Sequence, residues 1–308
     1  MAEDRHYPNI SQAIWLIILL LLLVFALGIL VGILDTVAGY SLAKHPAVFT
    51  TLWLIAIGLI LRRGLKKSGA SVREVFPLGP IRPTLLLPMA MTIFGASILL
   101  SEMDNLLRTF LPAPSWFIDF MMMLVGARVS LWGSFIALVV VAPLTEELLV
   151  RGLILRGFLG HYSVRKAVVA SAILFGLLHF NPWQLIGGTV FGTLFAWWFV
   201  QTRSLLPCLF GHALVNALPL IASGMLHLEI QGYSGDVSRH ITFQPLWFDL
   251  VGLLLAVLGV WLLIQAFGKP GNMTPEDLPG AERNGNPSTV IPQFRPNYRG
   301  IYPTLRVA

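Results

Sequence analysis

Long apolar runs, almost free of charge, recur along this chain and restrict its fold more than any other feature. The first, residues 11–34, reads SQAIWLIILLLLLVFALGILVGIL. It is too long for the core of a signal peptide and lacks a small-residue cleavage pattern, so it is expected to be retained. Further runs follow at roughly 46–61, 83–100, 129–150, 167–180, 183–200, 205–224 and 246–267. Several approach the ~20 residues that a helix needs to cross a hydrocarbon core. The expectation is an all-α, polytopic membrane protein with about eight transmembrane helices. Composition agrees: of 308 residues 56% are apolar and only 12% charged, about half the charged fraction usual in soluble domains.

The net charge of +6 has no basic cluster interleaved with aromatics, so nucleic acid is not an expected partner. Topology explains the excess better. With an even number of spans both termini share one side, and placing them in the cytoplasm leaves only Lys44, Arg108, Arg128 and Arg239 outside. That asymmetry is the positive-inside pattern. The single cysteine, Cys208, permits no intrachain disulfide.

Two domains of different character are expected. Residues 1–268 form a transmembrane domain whose informative motifs lie in 138–220. Residues 269–308, rich in Pro, Gly and Asn, cannot bury enough apolar surface to offset chain entropy, which predicts a cytoplasmic and mostly disordered tail.

Ionisable side chains within such spans are costly and seldom lack a purpose. The stretch APLTEELLVRG places Glu146, Glu147 and Arg151 inside one. Helix positions four apart lie about 40° from one another, so Glu147 and Arg151 share a face and can pair. Glu146 points about 100° away and needs a partner from another helix. Candidates come from later spans: FGLLHF sets Phe175 and His179 four apart, and GHALVNA does the same for His212 and Asn216. Two imidazoles, an amide and a carboxylate on three apolar helices could converge on one polar cavity within the bundle. Such a set suits hydrolysis, because peptide cleavage needs a base beside the attacking water and donors aimed at the developing oxyanion.

In that order and on successive helices, EELLVR, FGLLH and HALVN fit the patterns E-E-x-x-x-R, F-x-x-x-H and H-x-x-x-N. In these motifs the chain resembles the CPBP (ABI) family of intramembrane proteases, which includes the CAAX-processing, Rce1-type endopeptidases. The resemblance covers residues 138–220. It implies that Glu146 and His179 activate a water, that His212 and Asn216 stabilise the oxyanion, that Glu147 and Arg151 form a supporting ion pair, and that Phe175 is a further structural residue. It also implies no cofactor and a peptide or protein substrate, membrane-associated or C-terminal, with or without a lipid modification, in a cell membrane or an endomembrane.

Rival readings differ in testable ways. Glu146, His179 and His212 could instead ligate zinc, although the H-E-x-x-H signature is absent. Cys208 lies four residues before His212 and so on its face, and a cysteine mechanism would rest on that pair. A transporter or a peptide-binding scaffold would also use buried carboxylate and histidine, but the polar set is confined to the second half and no inverted repeat is evident. Further expectations concern position: a site opening toward the cytoplasm, SEMDN as an interfacial helix cap, APSWFIDFMMMLVG as an amphipathic stretch on the outer surface, and Gly187, Gly188 and Gly192 as packing glycines.

Overall fold

The computed structural model describes residues 6–39, 42, 46–125, 131–226, 228, 230–233 and 241–268. The tail expected at 269–308 lies outside the described residues. Among the described residues the secondary structure is helical, and five helices are long and apolar enough to cross a membrane. Each of the eight apolar runs is a helix. The chain is an all-α, polytopic, integral membrane protein.

Helix α1 spans Ile10–Ala38. Asn9 starts it with a reciprocal cap: its side chain accepts from Gln12 N, and Gln12 Oε1 accepts from Asn9 N, both at 2.9 Å, which satisfies two of the free donors of the first turn. Gly39, at φ 70°, ends it in a left-handed conformation that a side chain would oppose. Helix α2 (Pro46–Ser68) carries Arg62, Arg63, Lys66 and Lys67 toward its end and is not among the five long apolar helices. A short α3 (Val72–Val75) follows.

Helix α4 (Leu86–Phe110) and the last helix, α10 (Leu246–Gly268), pack along one another. Glycines allow that approach. A Cβ on Gly95 would collide with the backbone of Gly252 and Ala256, and one on Gly259 would collide with the backbone of Thr92 and Pro88. Small residues let helix backbones come together where lipid offers no hydrophobic driving force.

Helix α5 (Ser115–Val125) is followed by α6, Trp132–His161. The latter is one long helix whose winding loosens to π geometry at Phe135–Val141 and Leu148–Leu155, on either side of Ala142–Glu147. Such π segments are rare and often mark functional positions. Helix α6 runs eleven residues beyond the span end expected at 150. Glu146 is therefore not near a helix end; about 22 Å of helix separates it from His161.

Helices α7 (Val164–Leu177) and α8 (Pro182–Thr202) form a tightly packed pair. Asn181 caps α8, its side chain accepting from Gln184 N at 2.8 Å, with Pro182 in the first turn, where a missing N–H costs nothing. Gly188 and Gly192 meet α7 closely: added Cβ atoms would lie 3.0 Å from Gly176 Cα and Ala172 Cα respectively. Gly187 differs from that expectation, with nothing within 4 Å of the position of a Cβ. Helix α9, Leu206–Pro219, continues as a π turn over Leu220–Met225 and contacts both α6 and α4.

Candidate active site

Glu147 and Arg151 are fully buried, and Arg151 Nη1 donates to Glu147 Oε1 at 2.9 Å. The i, i+4 pair read from the sequence is present. The same Oε1 lies 2.8 Å from His212 Nδ1 on α9. A carboxylate only accepts, so Nδ1 carries the proton and Nε2 is the nitrogen left for other partners. Arg151 completes the arrangement: Nη2 donates to the Gly192 carbonyl at 3.1 Å, and the guanidinium lies over the Phe175 ring at 4.5 Å and nearer that ring than Phe195 at 5.4 Å. Helices α6, α7, α8 and α9 are thus joined through one buried cation. The sequence exposed the Glu147–Arg151 pair but not its grip on His212, because the third partner is 65 residues away.

Glu146 faces the opposite side of the same imidazole. Its Oε2 is 3.8 Å from His212 Nε2, and its side chain is 20% exposed where that of Glu147 is 0%. That separation exceeds a direct hydrogen bond. The two adjacent glutamates flank one histidine, one in direct contact and one across a gap.

His179 ends the α7 arm. Its Nδ1 lies 3.1 Å from the Phe175 carbonyl, an acceptor, which again puts the proton on Nδ1 and the lone pair on Nε2. The His179 and His212 rings both stand edge-on to Phe175, at centroid distances of 5.4 and 5.5 Å. His212 is also stacked on Phe195 at 5.7 Å. The two aromatic rings fix the orientation of both imidazoles by packing.

Asn216 has an assignment of its own. In the π segment Phe135–Val141 the Ala142 N–H bonds the Ala137 carbonyl, five residues back. The next donor in that register would be residue 143, a proline without an N–H. The Leu138 carbonyl so left over accepts from Asn216 Nδ2 at 2.8 Å. An unpaired carbonyl at this depth would cost several kcal/mol by transfer scales, so this bond docks α9 onto α6. The amide keeps a second N–H.

His179, His212 and Asn216 line one cavity of about 330 Å³, together with Phe175, Gly187 and Gly188. Its walls include polar side chains that the motifs did not indicate: Ser97 and Ser101 of α4, Gln184 of α8, and Tyr233. For the three on helices the one available signal is a polar side chain on an apolar helix, which is too common to single them out, and Tyr233 lies in a turn.

SEMDN is not a helix cap, since α4 continues to Phe110. It is a clamp instead. Glu102 Oε2 accepts from Asn105 Nδ2 at 2.9 Å and from Gln244 N at 3.0 Å, and Asn105 Nδ2 also reaches the Gly232 carbonyl at 2.8 Å. The clamp holds the turn that carries Tyr233, which packs on Phe248 at 5.0 Å.

Cys208 is buried, with Sγ 3.2 Å from the Phe195 carbonyl, and does not line the cavity. Among the described residues no group of three His, Cys, Asp or Glu side chains is arranged to hold a metal ion.

Residues 128–218 match the Rce1-like family, described as type II CAAX prenyl endopeptidase Rce1-like. This stretch contains all three motifs. No curated protein and no solved structure matches the chain.

Proposed function

We propose, from the Rce1-like match over residues 128–218, that the chain is a CAAX-type intramembrane protease acting on peptides or proteins, and that it hydrolyses a peptide bond at the His179–His212 cavity with water activated by Glu146. The observation that carries this reading is the placement of the Glu146 carboxylate 3.8 Å from His212 Nε2, with His179 and Asn216 on the walls of the cavity that His212 lines.

In the proposed reaction the Glu146 carboxylate takes a proton from water, with His179 Nε2 as a second acceptor that orients it. The oxygen attacks the peptide carbonyl carbon, and the carbonyl electrons move onto its oxygen. His212 Nε2 and the second Asn216 N–H stand as donors to that oxyanion. Since Nδ1 of His212 already donates to Glu147, a donating Nε2 requires the doubly protonated ring, and Glu147 is the counter-charge that accommodates it. Collapse re-forms the C=O, breaks the C–N bond and sends the Glu146 proton to the leaving amine. General-base assistance of this kind is worth about 10²–10⁴-fold, and one oxyanion donor about 10²–10³-fold.

The proposed substrate is membrane-associated, and a cavity of this size takes a few residues of extended chain. The experiment is cleavage of a peptide library by the purified, detergent-solubilised protein, with products identified by mass spectrometry. Defined new termini support the reading. A protein that binds peptides at the cavity but never cuts them is a scaffold, and the reading is then wrong.

A further inference from the structure

The bundle has two chemically distinct ends. One gathers the start of α1, the end of α2, the α6–α7 junction, the α8–α9 junction and the segment before α4. The Lys67 ammonium lies 5.4 Å from the Tyr7 ring centroid, Ile10 N donates to Tyr162 Oη at 3.3 Å, Ser204 Oγ donates to the Gly79 carbonyl at 2.6 Å, and a Cβ on Gly152 would meet the Phe76 ring. Arg62, Arg63, Lys66, Lys67, Arg73, Arg82, Arg156, Arg165, Lys166 and Arg203 all belong to these segments. At the other end, Trp183 Nε1 donates to the Leu111 carbonyl at 2.9 Å and its ring lies 4.7 Å from that of Phe117. The Glu102–Asn105 clamp holds Gly232 and Gln244 there. Arg108 is the one Lys or Arg among the described residues of that end, and Asp104 neutralises it at 2.7 Å.

The cavity belongs to this second end. Its deep wall is Phe175, Phe195 and His212, and its outer wall is Ser101, Trp183, Gln184 and Tyr233. The first two of these outer residues come from the second half of α4 and the first turn of α8, both far along the chain from the basic segments. No residue of the basic end lines it. Arg151 is buried in its ion pair and leaves the asymmetry standing.

Resting on the hydrolytic reading above, we infer that the substrate enters from the end opposite the basic one. Because Lys and Arg concentrate on the cytoplasmic side of membrane proteins, the scissile peptide is one exposed on the non-cytoplasmic face. This reverses the cytoplasmic opening expected from the sequence, because α6 continues to His161 and does not end near residue 150. The substrate class is therefore a juxtamembrane or exported peptide segment of a membrane-associated protein, presented outside the cytoplasm.

Thiol labelling in intact cells tests the side without needing catalysis, so failure of the hydrolytic reading and failure of this one are separable. In a Cys208→Ala background, Ser101→Cys is a near-isosteric reporter at the cavity wall, Gly187→Cys fills open space inside it, and Arg73→Cys marks the basic end. A membrane-impermeant maleimide should label Ser101→Cys or Gly187→Cys from outside, and Arg73→Cys only after the cells are permeabilised. Labelling of both cavity reporters only after permeabilisation, or of Arg73→Cys from outside, overturns the inference. A second arm offers sealed right-side-out vesicles a membrane-impermeant peptide that the purified protein cuts. Cleavage without rupturing the vesicles is expected, and cleavage only on rupture overturns the assignment.

Discussion

His212 Nδ1 lies 2.8 Å from Glu147 Oε1, so the glutamate next to the proposed base holds the imidazole that the base faces. The two carboxylates differ in burial: Glu147 is sealed with Arg151, whereas Glu146, which is not among the residues lining the cavity, keeps 20% of its side chain exposed beside His212. Removing one member of a buried pair leaves an uncompensated charge, at a cost of about 3–5 kcal/mol. Glu147→Gln is therefore expected to destabilise the protein by about that amount, read from thermal unfolding in detergent. The double replacement Glu147→Gln, Arg151→Met should recover much of the loss. Additive losses in the two single replacements would show that the pair does not act as a unit.

Asn216 joins two roles that can be separated through Pro143. Asn216→Ala leaves the Leu138 carbonyl without its donor, a loss of about 1–3 kcal/mol. Pro143→Ala supplies a backbone N–H in the register where one is missing. In the Pro143→Ala background, Asn216→Ala should cost markedly less stability while hydrolysis remains depressed by about 10²-fold or more, the scale of one oxyanion donor. Recovery of both stability and activity would leave Asn216 a purely structural clasp. Comparing melting curves with initial rates of cleavage decides it.

Adjacent glycines of α8 are predicted to behave oppositely. Gly187 lines the cavity and has open space where a side chain would go. Gly187→Leu should fold normally and impair cleavage by filling the substrate space, mainly through a raised KM. Gly188→Leu meets the α7 backbone, with Gly176 Cα 3.0 Å from its Cβ position, and should lose stability by the 1–3 kcal/mol typical of overpacking. Melting temperature and KM measured on both variants give the comparison.

Metal removal separates the proposed chemistry from zinc hydrolysis. Exhaustive chelation followed by desalting should leave the cleavage rate unchanged, and added zinc should not raise it. Loss of activity on chelation with recovery on zinc would assign the base and the imidazoles to a metal instead.

The helices were legible because each apolar run has a length set by the bilayer, and Glu147–Arg151 because four residues return a helix to the same face. What escaped the sequence depended on contacts between segments. The hold of Glu147 on His212 joins positions 65 apart, and Asn216 reads as a donor to substrate until the π winding before Pro143 exposes a carbonyl that needs it. Depth was misjudged for a simpler reason. Arg151 resembles the start of a basic loop, yet it is buried, and α6 continues to His161. Glycine spacing along α8 likewise could not tell Gly187, which has open space where a side chain would go, from Gly188 and Gly192, which meet the α7 backbone closely.

The claim on which the account rests is that the Glu146 carboxylate withdraws the proton from the attacking water. Initial rates of peptide cleavage by Glu146→Gln and wild-type protein, measured on samples with matching melting temperatures, test it most directly. A fall of about 10²–10⁴-fold, the range for loss of a general base, is predicted. Cleavage at the wild-type rate by Glu146→Gln would contradict it.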